Sequence, residues 1–224
     1  ADEGAVVVGS PKEVGENSDY VFVCVTNSGD VVDVINGSEQ IQGLSEGLRP
    51  GMIVVDHSTI SPDVTREIYA DLSDLQVSLI DAPVSGGDKG AIAGTLSIMC
   101  GGDHDSLQEV MPLLESMGKQ ITHCGPSGAG QTVKLCNQIA VCINNFALAE
   151  ALVFCTLNQV DPAVMLEAIS AGAAGSWQIS NLGPQIIQRD FSPGFKVGLQ
   201  RKDLHLAIDA ADSVNMPLLG TALV

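Results

Sequence analysis

The first half of the chain alternates short apolar runs with segments of helical character. Most of the runs are continuously apolar, which is typical of strands buried on both faces of a sheet. Strands that alternate with helices predict a mainly parallel α/β layer. The runs are "AVVVGS" at 5–10, "YVFVCVT" at 20–26, "MIVVDHST" at 52–59, "VSLIDAPV" at 77–84, "LSIMCGG" at 96–102 and "QITHCG" at 120–125.

Two of the intervening segments carry clear helix signals. "SPDVTREIYADL" offers Ser61 as an N-cap and Pro62 at the first helical position, a common pairing at helix starts. "DHDSLQEVMPLLESMG" has Asp103 and Asp105 at its start, and Gly118 is the expected C-cap. Both segments are therefore predicted to be helices between strands.

The second half has a different texture. Residues 131–158 contain neither Gly nor Pro, and apolar residues fall on every side of the predicted helix, which predicts that it is buried. Its length raises the question of a membrane span, but Asn137, Gln138 and Glu150 would be costly in lipid, so we expect no membrane partner. The following segments are also helical, which places a domain boundary near 125–130.

Composition excludes one class of partner. Ten basic and 27 acidic residues give a formal charge of −17, which argues against nucleic acid, because phosphates are neutralised by Lys and Arg. Six cysteines show no C-x-x-C pair and the four histidines are scattered. We therefore expect buried free thiols, a cytoplasmic protein and no metal site.

The stretch "DAPVSGGDKGAIAGTL" at 81–96 has four glycines after a strand-like run. Glycine permits unusual backbone dihedrals and a close approach to the backbone. The stretch is either loop filler or a surface against which a small anionic ligand binds. Ser85, Gly86 and Gly87 are the candidate contacts, with plain turn residues as the alternative.

"GPSGAGQT" at 125–132 nearly matches the phosphate-binding G-x4-G-K-[ST] pattern, but Gln131 stands where the lysine belongs. We therefore reject a P-loop and a nucleotide-dependent phosphotransferase. Lys134 is the first cation of the long helix, and Asn137 follows three residues later on the same face. A desolvated lysine near a helix N-terminus has its charged form disfavoured, which suits a general acid; an ordinary lysine with a buried stem is the alternative.

Three further positions are candidates by location. Lys202, in "LQRKDLHLAIDAA", is either functional or part of a solvated helix start. Thr59 follows a strand, and ligands of open α/β sheets bind beyond the carboxyl ends of strands. His57 shares that location, but a structural role is the simpler hypothesis for it.

Four segments together resemble the β-hydroxyacid dehydrogenase family. "DAPVSGGDKGAIAGTLSIMCGGD" is similar to its substrate-binding motif, "GAGQTVKLCNQI" to its catalytic lysine motif, "KDLHLAIDAA" to its C-terminal lysine–aspartate motif, and "DHSTISP" to its pattern beside the nicotinamide. The resemblance implies a Rossmann-type NAD(P)-binding domain over 1–125, N-terminally incomplete. It also implies a partial all-α domain over 126–224, led by a long interdomain helix and used for substrate binding and dimerisation.

The resemblance also implies an activity, the NAD(P)H-dependent reduction of a small aldehyde acid such as tartronate semialdehyde to a hydroxy acid. Lys134 would be the general acid, and Asn137 would orient the substrate. Ser85, Gly86 and Gly87 would bind its carboxylate, and Lys202 would lie near substrate and nicotinamide. Val25, Thr26 and Thr59 would line the cofactor. A homodimer or homotetramer is the expected assembly.

One element of the family pattern is absent from the chain. No G-x-G-x-x-G turn precedes the first runs, and that turn presents amides to the pyrophosphate. We therefore expect an internal fragment that binds NAD or NADP weakly or not at all, and the choice between the two stays open. A 3-hydroxyisobutyrate dehydrogenase, a related short-semialdehyde reductase and a non-catalytic interaction module remain as alternatives.

Overall fold

The computed structural model describes residues 4–192 and 194–224. The chain divides into two compact units, Ala1–Leu135 and Cys136–Val224. The first unit combines strands with helices, and the second is helical.

The elements alternate through the first unit and become purely helical after β6. The strands are β1 Tyr20–Val23, β2 Ile53–Asp56, β3 Ser78–Asp81, β4 Val84–Ser85, β5 Leu96–Gly101 and β6 Gly118–Gly125. The helices are α1 Pro11–Glu16, α2 Ser28–Asn36, α3 Pro62–Asp74, α4 Gly87–Ala93, α5 His104–Glu115, α6 Ala129–Leu157, α7 Pro162–Ser170, α8 Trp177–Ile187, α9 Val197–Asp212 and α10 Leu219–Leu223. A short 3-10 turn covers Leu44–Glu46.

Parallel pairing dominates the sheet, as the alternating pattern predicts. Strands β1, β2 and β3 are parallel neighbours, and β5 and β6 are parallel to each other. The pairs β3–β5 and β4–β5 are antiparallel, because only the seven-residue helix α4 separates β4 from β5. The chain therefore reverses direction directly after "DAPVSGG".

Both faces of the central strands are covered. Val54 lies in a core with Val31, Ile35 and Leu72. Its neighbours in β2, Ile53 and Val55, lie in a second core with Ile80, Ile98, Leu107 and Leu114. This period-2 division explains the continuously apolar sequence of β2. The edge strand β1 differs, since Tyr20 and Phe22 are partly exposed, and full burial was wrong for that run.

One predicted strand does not form. Residues 5–10, "AVVVGS", have no strand structure, and Val6 and Val7 are exposed. β-branched residues favour strands only where a neighbouring strand offers pairing. No strand in the described residues pairs with this run.

The helix signals were correct at the starts and wrong at one end. Ser61 caps α3 by accepting from the Asp63 backbone amide, and Asp103 caps α5 in the same way through Ser106. The predicted C-cap Gly118 instead begins β6, and α5 ends before it with Ser116 as cap. A Cβ at Gly118 would strike the Leu96 carbonyl oxygen and Ile98, so strand pairing requires this glycine.

The second unit has its core on one side of α6. Leu148 and Leu152 of α6 contact Leu166 of α7 and Ile179 of α8. Other apolar side chains of α6 are exposed, and Phe154 reaches 72%. The prediction that α6 is buried on every side was therefore wrong, because its own unit covers only one stripe of the helix.

By length and composition, α6 is the one helix in the two described ranges that could cross a membrane. Core helices of soluble proteins have the same length and composition. Gln138 of α6 donates to the buried carboxylate of Asp203 in α9 at 2.6 Å. This contact packs the first part of α6 against α9 within the second unit.

The cysteines also differ in part from expectation. All six are free, as predicted. Only Cys100 and Cys155 are buried, whereas Cys24 and Cys136 are exposed. Apolar neighbours in sequence do not bury a thiol that lies on the outward face of its element.

Candidate functional site

Lys134 lies in the second turn of α6 with its ammonium group inside the protein. Its side chain is 7% exposed. The Nζ atom donates a hydrogen bond to the carbonyl oxygen of Val84 at 2.8 Å. Val84 directly precedes Ser85, so the lysine that the sequence singled out lies beside the glycine-rich turn that it also singled out.

The turn itself leaves backbone accessible. Ser85 pairs with Ser97 across β4 and β5. Gly86 and Gly87 follow with φ of 137° and 64°, a region that favours glycine. A Cβ at Gly87 would meet no atom within 4 Å. The backbone at Gly87 therefore borders open space, three residues after the Val84 carbonyl that accepts from Lys134 Nζ.

Asp81, at the end of β3, holds the start of α6. Its Oδ1 accepts from the Gly128 amide at 2.8 Å, and its Oδ2 accepts from the Gln131 amide at 2.9 Å. Burial raises the pKa of the Asp81 carboxyl, and these backbone hydrogen bonds oppose the rise. The amides of "GPSGAGQ" thus bind the protein's own carboxylate, which independently supports rejection of a P-loop.

The carboxyl ends of β1 and β2 carry the predicted cofactor residues. The Val25 amide donates to Ser58 Oγ at 2.9 Å, which ties the segment after β1 to the segment after β2. Thr59 is the next residue after Ser58, and Thr26 is an exposed residue just before the N-cap of α2. A cavity of about 370 Å³ lies beside β1, lined by Gly9, Cys24, Val25 and others.

These features fit a dinucleotide. Two parallel strands end side by side, their following turns are joined, and an apolar cavity with a glycine opens next to them. Nucleotide cofactors of open α/β sheets bind outside the carboxyl ends of the strands. Val25 and Thr59 are the residues here that would line the cofactor.

A hydrogen-bonded chain links the two predicted polar residues of the second unit. Asn137 Nδ2 donates to Gln138 Oε1 at 2.8 Å, and Gln138 Nε2 donates to Asp203 Oδ2 at 2.6 Å. Lys202 Nζ lies 2.9 Å from Asp203 Oδ1. Asp203 is almost fully buried, so Lys202 is not simply part of a solvated helix start.

Two family models together match nearly the whole chain. Residues 1–125 match the NAD binding domain of 6-phosphogluconate dehydrogenase. Residues 128–224 match the NAD-binding domain of NADP-dependent 3-hydroxyisobutyrate dehydrogenase. The 2-hydroxy-3-oxopropionate reductase of Escherichia coli K12 is 41% identical over 98% of this chain and 74% of its own length.

The chain belongs to the β-hydroxyacid dehydrogenase family.

Solved structures agree with this assignment. The 3-hydroxyisobutyrate dehydrogenase of Mycobacterium tuberculosis, solved with L-serine, has a TM-score of 0.89 and 31% identity over 99% of this chain and 76% of that one. Psf3 in complex with NADP+ and 2-OPP has a TM-score of 0.83 and 28% identity over 93% and 72%. This β-hydroxyacid dehydrogenase is an NAD(P)-dependent oxidoreductase with a Rossmann-type domain followed by an all-α domain.

Within the dehydrogenase, the predicted residues form local groups. Lys134 lies with Ser85, Gly86 and Gly87 in the first unit. Val25 is joined to the Ser58–Thr59 segment in the same unit, and Thr26 is placed without a contact that links it to them. Asn137 and Lys202 are joined through Gln138 and Asp203 in the second unit.

Sequence reasoning missed two residues of this arrangement. From the sequence, Gln131 was considered only as the residue that breaks the P-loop pattern, and Asp81 only as the first residue of the glycine-rich stretch at 81–96. Both are fully buried polar residues. The sequence did contain a signal for both. Asp81 ends an apolar run and Gln131 interrupts a run of small residues, and no turn at either position calls for a polar side chain.

His57 is only partly satisfied. Its Nδ1 lies 2.6 Å from the Ala82 carbonyl oxygen, which fixes the proton on Nδ1, and its ring stacks on Phe22. Nε2 is buried and has no hydrogen-bond partner among the described residues. Burial lowers the pKa of the imidazole, and the Ala82 bond partly opposes this.

Proposed function

We propose that this dehydrogenase reduces a short aldehyde acid to the corresponding hydroxy acid, with tartronate semialdehyde giving glycerate. The observation that carries the proposal is the buried Lys134 ammonium, hydrogen-bonded at 2.8 Å to Val84 beside the Ser85–Gly87 turn. The site thus combines a proton donor with an accessible turn for a carboxylate. The identity to the 2-hydroxy-3-oxopropionate reductase supports the choice of substrate.

The residues divide the work as follows. Ser85 donates from its hydroxyl, and Gly86 and Gly87 from their backbone amides, to the substrate carboxylate. Asn137 orients the substrate, and Lys202 lies near substrate and nicotinamide. Val25, Thr26 and Thr59 line the cofactor. A reduced nicotinamide held by these residues would supply the hydride. Lys134 donates a proton to the carbonyl oxygen and regains one from solvent.

Lys134 suits this role by its place. Among Lys134, Ser85, Gly86 and Gly87, Lys134 is the residue whose side-chain proton is acidic enough for general-acid catalysis. Its hydrogen bond to the Val84 carbonyl oxygen at 2.8 Å fixes Nζ beside the turn. No metal ion takes part in this scheme.

A 3-hydroxyisobutyrate dehydrogenase activity is the second candidate. The similarity to the Mycobacterium tuberculosis enzyme solved with L-serine supports a short β-hydroxy acid at the same turn. The two activities use the same proton donor and the same carboxylate turn. They differ only in the substituent next to the reacting carbon.

The assembly and location belong to the same proposal. The apolar stripe of α6 that its own unit leaves exposed favours a homodimer or homotetramer. We place the enzyme in the cytoplasm, where its free thiols stay reduced.

The experiment is a substrate panel. The protein expressed from its complete gene is assayed for oxidation of NADH and NADPH with tartronate semialdehyde, with methylmalonate semialdehyde, and with acetaldehyde, which lacks a carboxylate. We expect kcat/KM for one of the acids to exceed that for acetaldehyde by at least about a hundredfold, since a charged hydrogen-bonded group is lost. Equal rates with acetaldehyde would overturn carboxylate recognition, and no turnover would favour the interaction module.

A further inference from the structure

Gln131 is fully buried one helical turn before Lys134, and both ends of its side-chain amide are used. Its Nε2 donates to the Ser58 carbonyl oxygen at 2.8 Å. Its Oε1 accepts from the Ile60 amide at 3.1 Å. The amide therefore holds the backbone on both sides of Thr59, as a neighbouring strand would.

The segment that Gln131 holds is itself tied to the turn after β1. Ser58 Oγ accepts from the Val25 amide at 2.9 Å, and the Ser58 amide donates to Asp56 Oδ1 at 2.9 Å. A displacement of Ser58 would therefore also displace Val25. Val25 and Thr59, both proposed to line the cofactor, are thus both held through Ser58.

The backbone at the start of α6, which carries Gln131, is also fixed. The Gln131 amide and the Gly128 amide both donate to the buried Asp81 carboxylate. Gly130 lies so close to β3 and β5 that a Cβ there would strike the Met99 carbonyl oxygen. These contacts fix the start of α6 against β3 and β5. Gln131 therefore holds the Ser58–Ile60 segment at a set place relative to α6.

We propose that Gln131 is a positioning residue that sets Thr59 and Val25 at a fixed offset from Lys134. It contacts neither substrate nor cofactor. This inference rests on the proposed function, because it is for hydride and proton delivery to one carbonyl group that the offset matters. A misplacement of about 1 Å between reacting groups can lower the rate about a hundredfold.

The test compares three substitutions in the protein expressed from its complete gene. Gln131→Met keeps the side-chain length and removes both hydrogen bonds. Gln131→Glu keeps the acceptor, and its carboxyl regains the donor only when protonated. Thr132→Val is the matched control, because the Thr132 hydroxyl donates to the Gly128 carbonyl oxygen within its own helix start and bonds to neither Ser58 nor Ile60 among the described residues.

For Gln131→Met we expect kcat to fall about 10- to 100-fold, with KM for the aldehyde acid changed less than about threefold. For Gln131→Glu we expect the ratio of its kcat to that of the wild type to rise as the pH falls, because protonation restores the donor to Ser58. Thr132→Val should match the wild type. A purely structural role would lower thermal stability and leave this ratio independent of pH.

A second readout separates this inference from the proposed function. Hydrogen exchange at the Ile60 amide should accelerate at least about tenfold in Gln131→Met, with exchange in the middle of α6 unchanged. Unchanged exchange at Ile60, or an unchanged kcat alongside faster exchange, would overturn the inference. If the wild type itself turns over no aldehyde acid, the proposed function fails, and the exchange at Ile60 alone supports or overturns the positioning role.

Discussion

At the scale of single residues, buried polar groups decide how this enzyme responds to pH. His57 is the clearest case, since burial lowers the pKa of its ring while its Nδ1 is committed to the Ala82 carbonyl. Protonation would place a charge on the buried Nε2, which has no partner among the described residues. Burial therefore favours the neutral form of this histidine in the folded state.

The consequence is a loss of stability in acid. Because the folded pKa lies below the ordinary 6.5, the unfolded chain binds more protons between the two values, and stability falls as the pH drops below about 6.5. In His57→Asn the side-chain amide can still donate to Ala82 but does not titrate. We expect the variant to lose less free energy of unfolding between pH 8 and pH 5 than the wild type, measured by urea titration. Equal losses would show that His57 does not titrate at a cost to folding.

Asp81 and Gln131 show why single-residue roles were the hardest to foresee. Each is recognisable in the sequence as a polar residue among apolar or small ones. Their partners, however, lie 47 to 73 residues away along the chain. Only the paired sheet brings β2, β3 and the start of α6 together, so no local pattern names the partner.

At the scale of elements, the turn from β4 into α4 is the part of the site most sensitive to shape. Gly86 has φ of 137°, and a Cβ there would approach Leu96 Cδ2 at 3.1 Å. An alanine would be strained by about 1–3 kcal/mol if the turn kept its conformation. The turn would instead shift, and with it the amides proposed to hold the carboxylate.

We therefore expect Gly86→Ala to raise KM for the aldehyde acid at least about tenfold with little change in KM for the cofactor. The matched control is Gly198→Ala, where a Cβ would meet no atom within 4 Å and the residue lies in α9. Steady-state kinetics with each substrate varied in turn make the comparison. A KM for the acid that stays within twofold of the wild type would remove Gly86 from the substrate site.

The elements also show which patterns predict structure. The apolar runs of β2, β3 and β5 were sufficient to predict strands, because continuously apolar runs are typical of strands that are covered on both faces of a sheet. "AVVVGS" has the same composition but lacks a pairing partner in the described chain, so composition overpredicted it. N-caps were predictable since Ser61 and Asp103 bond to amides two or three residues away, whereas the role of Gly118 depends on a distant strand.

At the scale of the whole molecule, exposed apolar surface on the second unit points to self-association. Phe154 and Leu157 of α6 are 72% and 77% exposed. Exposed apolar patches of this kind mark interaction sites. A formal charge of −17 opposes nonspecific aggregation. We therefore expect a defined subunit contact, rather than aggregation, at this surface.

We expect sedimentation velocity to show a dimer or tetramer at micromolar concentration, and Leu157→Glu to shift it toward monomer. Val6→Glu is the control, because Val6 is equally exposed but lies in the first unit. A wild type that sediments as a monomer at all concentrations would contradict the proposed assembly. A dimer that Leu157→Glu leaves intact would place the contact elsewhere.

The order of an α/β region followed by an all-α region was predictable from the sequence, because the strands and helices of both regions show their periodicity within short windows. The family motifs located Lys134 and the glycine-rich turn in the chain. Their contact through Val84 became visible only in the folded structure, since β4 and α6 are separated by 50 residues at that bond.

The most direct test of the account replaces Lys134 with alanine. The protein expressed from its complete gene is compared with Lys134→Ala and with Lys119→Ala, a change at an exposed lysine in β6. Turnover of the preferred aldehyde acid is measured with thermal unfolding of each protein. The account predicts a loss of kcat of at least about a hundredfold in folded Lys134→Ala, partly restored by added methylamine, and a normal rate in Lys119→Ala. A folded Lys134→Ala that keeps its rate within a few-fold would contradict it.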